Sequence, residues 1–176
     1  MSKLNVSSII TDHFATFKNF KTGKRKIGDY FVFLILPFVI SIFFICFNIL
    51  LTKELSNILI TALSIFAALL FNLLLLTYDI INKNSHVNFT DTTLKQKKQL
   101  KHKFLKEIYA NISFSILISI ISVILLLGNY FLPCGLIYLL FNFFSYFFII
   151  LFLLTLFLIL KRIHILLSKE FIWEIA

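Results

Sequence analysis

This sequence is short of charge: Asp, Glu, Lys and Arg together are 14% of its 176 residues, where a soluble domain carries about a quarter. The deficit excludes an ordinary soluble domain, because the 60% of residues that are hydrophobic fall in blocks too long for soluble helices. Cysteine is nearly absent, with only Cys46 and Cys134, so no disulfide framework organises the chain. A bridge between these two is conceivable, but soft apolar packing residues are the plainer reading. The four histidines, His13, His86, His102 and His164, are scattered. They form no HExxH pair, and neither cysteine has a histidine neighbour. The expectation is a non-enzyme with no metal and no cofactor.

Four apolar blocks remain once the polar breaks are marked. About 20 apolar residues cross a ~30 Å hydrocarbon core as a helix. Tyr30–Thr52, Leu55–Tyr78, Phe104–Leu127 and Phe131–Leu160 each meet that requirement, the last with length to spare that tilt or protrusion must absorb. The breaks are Lys53-Glu54, the polar run Asn82–Lys103 and Gly128-Asn129. The expected fold is therefore all-α, a polytopic bundle of four transmembrane helices over residues 30–160. The first span is too long for a cleaved signal peptide, begins only at Tyr30, and has no small-residue cleavage site after it.

Cations orient the bundle. Of the 17 Lys and Arg, all but Lys53 lie before the first span, between the second and third, or after the fourth. By the positive-inside rule both termini and the basic hairpin 82–106 are cytoplasmic, and the two outer turns are very short. The net charge of +9 raises nucleic-acid binding as an alternative. Topology and attraction to anionic lipid headgroups account for that charge without a nucleic acid.

The cytoplasmic segments carry their own patterns. In segment 1–29, Val6, Ile9, Ile10, His13, Phe14 and Phe17 recur at helical spacing, with Ser7 or Ser8 placed to cap. This predicts an amphipathic helix of three to four turns, lying in the headgroup plane or packed on the cytoplasmic ends of the bundle. Gly23-Lys24 is no phosphate loop, since the other residues of that motif are missing. The sequons at Asn5, Asn88 and Asn111 lie in the cytoplasm or the membrane by the charge rule and read as chance. From Asp91 to Leu127 there is neither Pro nor Gly, so the third span continues a helix that begins in the cytoplasm and projects roughly 20 Å below the membrane. Lys95, Lys97, Lys98, Lys101 and Lys103 on it form a solvated face or a contact for lipid headgroups or an acidic partner. The tail 161–176 continues the fourth span with Ile163, Leu166, Leu167, Phe171 and Trp173, of which Trp173 suits an interface.

Inside the spans the polar residues are patterned. Asn57, Thr61, Ser64, Ala68, Asn72 and Asp79 share one face of the second helix. Asn111, Ser115, Ser119 and Ser122 share one face of the third. Tyr138, Asn142 and Ser145 group on the fourth, and Ser41 and Asn48 on the first. Such residues hydrogen-bond packed helices together, or in an oligomer line a water path. The second-helix stripe, the longest and ending in Asp79, is the better pore candidate, and it is expected to face other helices or a central axis. No Lys, Arg, Asp, Glu or His falls near the bilayer midplane, and no broken-helix repeat is evident, which argues against coupled transport.

The tight spans of Tyr30–Leu160, the short outer turns and the basic hairpin Asn82–Lys106 resemble the small four-span membrane proteins of bacterial anti-phage and abortive-infection systems, such as the membrane subunit of Kiwa. That resemblance implies membrane perturbation, or signalling of infection, together with a companion gene product. The expected function is an oligomeric subunit of the bacterial inner membrane, an effector or sensor controlled by a cytosolic partner. A passive anchor for a cytosolic enzyme and a holin-like lysis protein are the alternatives.

Overall fold

The computed structural model describes residues 6–17, 27–85, 92–131 and 135–175. Among them every regular element is a helix: α1 (Ser7–Ala15), α2 (Ile27–Cys46), α3 (Lys53–Ser85), α4 (Thr92–Phe131) and α5 (Leu136–Ile175). Three stretches are long and apolar enough to cross a membrane: Lys53–Lys83, Lys97–Phe131 and Leu136–Ser168. They fit a membrane-embedded, multi-pass chain. The apolar helical stretch of α2, Phe31–Cys46, is shorter.

α4 and α5 are the central pair. α3 packs on α4, α2 packs on α5, and α1 lies against α4. Among the described residues α2 and α3 do not pack on each other, so these helices stand in a row rather than closing a ring. The best-buried side chains include Ile112 and Leu126 of α4 and Phe152 of α5. The flanking helices turn Phe31, Phe38 and Phe43, and Ile58, Ile65 and Leu69, outward. Lipid tails are as apolar as these side chains, so such exposure carries no penalty in a bilayer.

Several boundaries differ from the sequence reading. The first apolar block is not helical to Thr52. α2 stops at Cys46, where Asn48 takes a positive φ of 55°. The Asn48 N–H then bonds the Ile45 carbonyl at 3.0 Å and the Ile49 N–H bonds the Phe44 carbonyl at 2.9 Å. This is a left-handed C-cap with asparagine in the place usually held by glycine. Thr52 starts α3, accepting the Leu55 N–H on its hydroxyl at 3.2 Å. Gly128-Asn129 is no turn, because α4 runs through it to Phe131 and α5 begins at Leu136, after Gly135 with φ 152°. Gly128 is instead a close approach: a Cβ there would stand 2.5 Å from the Phe141 ring. α3 continues to Ser85 through the start of the run read as polar loop. Neither Ser7 nor Ser8 caps α1, whose N-cap position is Val6 with no side-chain bond. α4 is one helix of 40 residues, as the lack of Pro and Gly through Leu127 implies.

Candidate functional site

The polar stripes meet different fates. On α4, Asn111, Ser115, Ser119 and Ser122 are all buried, and on α5 so are Asn142, Ser145 and Thr155. Most of the hydroxyls bond back to their own helix, as Ser122 does to the Ile118 carbonyl at 2.8 Å and Thr155 to the Leu151 carbonyl at 2.8 Å. These small residues let the two backbones approach, which is how helices pack without a hydrophobic drive. On α2, Ser41 is buried with its hydroxyl on the Pro37 carbonyl at 2.7 Å, whereas Asn48 is exposed in the turn.

The α3 stripe lies outside. Thr61, Ser64, Ala68, Asn72 and Asp79 are exposed, and the Thr61 and Ser64 hydroxyls donate to carbonyls of their own helix, those of Asn57 and Ile60. Asn57 is exposed as well, but its side-chain oxygen accepts the hydroxyl of Tyr130, which also reaches the Lys53 carbonyl at 3.0 Å. Among the described residues, then, this stripe faces no other helix beyond Asn57. The lysines divide similarly. Lys97, Lys98 and Lys101 are half-buried and Lys103 is exposed, while the Lys95 side chain lies outside the described part. The Cys46–Cys134 pairing also falls outside it, and Cys46 is a free, exposed thiol.

Two buried polar clusters close the ends of the α4–α5 seam. At the end away from the lysines, Asn142 Oδ1 accepts the Leu51 N–H at 2.9 Å, and its Nδ2 donates to the Tyr138 carbonyl at 2.9 Å. The Tyr138 hydroxyl reaches the Leu51 carbonyl at 3.3 Å. One asparagine thus supplies a partner to non-helical backbone that would otherwise lack one. Asn129 joins by accepting from Asn142 Nδ2 on its Oδ1 at 3.4 Å, and its own Nδ2 donates to the Ser145 hydroxyl at 3.3 Å.

At the basic end α1 presses His13 into the seam. Its ring is stacked on Phe114 with centroids 3.8 Å apart, with Phe17 at 5.0 Å and Phe33 of α2 at 6.0 Å edge-on. Its Nδ1–H donates to Asn111 Oδ1 at 2.8 Å. The Thr16 hydroxyl lies 2.7 Å from the His13 carbonyl and 3.2 Å from Asn111 Oδ1. Arg162 of α5 then closes the cluster, donating to the Thr16 carbonyl at 2.7 Å and pairing with Glu107 of α4. Burial pushes the His13 pKa down from 6.5 to about 4. The bond to Asn111 opposes that shift and the Arg162 charge adds to it, so His13 is neutral at ordinary pH.

Sequence reasoning placed His13 in the apolar stripe of its helix but assigned it no partner, and it missed Thr16, Glu107, Arg162 and Asn129. One signal was present: a polar residue at an apolar position of a helical repeat has to find a hydrogen bond where it is buried. Among the described residues no group of His, Cys, Asp or Glu has metal-binding geometry. No family model matches the sequence, and neither a curated protein nor a solved structure matches it.

Proposed function

We propose that this chain is the subunit of a homo-oligomeric effector or sensor of the bacterial inner membrane, acting in defence under the control of a cytosolic partner. In this reading α2 also crosses the membrane, as the first of four spans, completed by the non-helical segment 47–52. Both termini and the lysine-rich ends of α4 and α5 are cytoplasmic, following the cation distribution. Non-helical backbone is tolerated at membrane depth only where protein groups satisfy it, and Asn142 does this for Leu51.

The observation that carries the proposal is the outward stripe of α3. Asn72 and Ser64 are exposed near the middle of an apolar helix. An amide turned to hydrocarbon without a partner costs several kcal/mol on a scale where no partner exists. A second copy supplies the partner, because an asparagine side chain both donates and accepts and can pair with its own kind. Subunits joined along α3 bring these stripes to the interfaces or around a central water path.

The test uses one variant and two readings. Wild type is expected to migrate as an oligomer on native gels and to make liposomes leak. Asn72→Leu abolishes leakage and leaves assembly intact if the stripe lines water, and weakens assembly if it is an interface. A variant matching wild type in both readings sinks the proposal. Harmless overexpression together with a co-purifying soluble enzyme favours the anchor.

A further inference from the structure

The seat of α1 contains polar atoms that the described residues do not satisfy. His13 Nε2, Asn111 Nδ2 and Ser115 Oγ are buried and have no hydrogen-bond partner, and all three residues have 0% exposure. They belong to one place. His13 is bonded to Asn111, and Ser115 is one turn further along the same face of α4. Their roles are complementary as well. With its proton on Nδ1, His13 offers a bare acceptor at Nε2, Asn111 offers N–H donors, and Ser115 offers either role. A water molecule placed among them would accept from Asn111, donate to His13 and exchange a bond with Ser115, the roughly three bonds that a buried water makes.

The element above this seat is weakly built in. α1 has nine residues, fewer than the ~12–15 at which an isolated helix begins to hold in water, so docking is what keeps it helical. Among the described residues its backbone packs only on α4. Clefts run along the contact, one lined by Asp12, Thr16, Lys106 and Glu107, the other by Ile9, Phe71, Tyr109 and Ser113. The ties beyond α4 are the aromatic contacts of His13 and Phe17 with Phe33 and the Arg162 bond to the Thr16 carbonyl.

We infer that α1 is a detachable stopper over a hydrated notch in α4, formed by His13, Asn111 and Ser115. Docked, it encloses water among these three residues. Undocked, it opens Asn111 and Ser115, the first members of the buried α4 stripe, to water at the basic end of the molecule. The inference rests on the seat alone and does not depend on how the α3 face behaves.

The experiment places Ser115→Cys in the full chain lacking its own thiols (Cys46→Ser, Cys134→Ser), in lipid nanodiscs open on both faces. The probe is a charged, membrane-impermeant thiol reagent. With native α1 the cysteine is expected to react slowly. His13→Lys, which puts a charge into the seat, is expected to raise the rate at least tenfold, and Arg162→Lys, which shortens the clamp, by a smaller factor. Ile120→Cys, on the exposed face of α4, stays slow in every background and so separates undocking from general unfolding. Water-edited solid-state NMR on the unsubstituted chain is expected to show rapid transfer from water to the Asn111 amide. The inference is overturned if Ser115→Cys reacts as fast beneath native α1 as in the variants, if it stays protected in both, or if Asn111 sees no water. Loss of oligomer with the cysteine pattern intact would count against the α3 reading only.

Discussion

α3 and α4 carry polar stripes of the same kind, an asparagine and small hydroxyl residues at three- and four-residue steps, yet the fold puts one outside and the other at its centre. Helical spacing specifies that residues share a face; it does not specify what covers that face. α4 is covered because α5 brings a matching small-polar face, Asn142, Ser145 and Thr155, and the two backbones close upon each other. α3 packs on α4, its buried Leu63 and Leu70 lie on its other side, and its polar side is left over. By this contrast, damage along the seam destabilises the protomer, and damage along the α3 stripe does not.

The largest effect along the seam is expected from protons. His13 has its folded-state pKa lowered from 6.5 to about 4, so the undocked state binds protons more readily. The docking of α1 is then at full strength above pH 6.5 and is lost as pH falls toward 4, by up to about 3 kcal/mol. The charged groups around the ring, Arg162 on α5, Glu107 on α4 and Asp12 on α1 itself, set the background for this titration. A spin label at the exposed Ser8 should become mobile across that window, and mobility unchanged down to pH 4.5 would remove His13 as the docking residue.

Next in size is Asn142→Leu. It leaves the Leu51 N–H without its acceptor and is expected to cost about 2 kcal/mol, within the usual range for a buried donor left unpaired. Denaturant unfolding in micelles measures it, and a loss under about 0.5 kcal/mol would mean that water replaces the asparagine. Gly128→Ala is expected to cost about 1 kcal/mol by overpacking against Phe141, with Phe141→Leu restoring most of the loss in the double variant. The smallest effect is that of Asn72→Leu on the isolated protomer, within about 0.5 kcal/mol of wild type. A large protomer loss from that change would show that α3 is packed inward and would break the comparison.

How much was legible beforehand varies by element. The continuity of α4 was readable because a long run without Pro or Gly leaves a helix nothing to break it. The end of α2 was not, because Asn48 reads as one more polar residue of a span until its neighbours' carbonyls demand a left-handed cap. Gly128 was read as punctuation, but only the Phe141 ring on the next helix shows that it is a contact. Asn111, Ser115 and Asn142 were selected from spacing alone. The joining of Asn111 to His13 over 98 residues and of Asn142 to the Leu51 backbone over 91 depends on how helices lie beside each other, which no local pattern encodes.

By itself, the sequence determined the helical class, the long apolar stretches and the residues that share each face, since these follow from composition and from a repeat of about 3.6 residues per turn. Tertiary structure alone decided which polar face is sealed, which glycine is a contact and where His13 finds its partner. The reason is that burial belongs to pairs of surfaces. A polar stripe is stabilising when a matching stripe closes on it and costly when hydrocarbon does, and the chain that carries the stripe does not by itself say which of the two it meets.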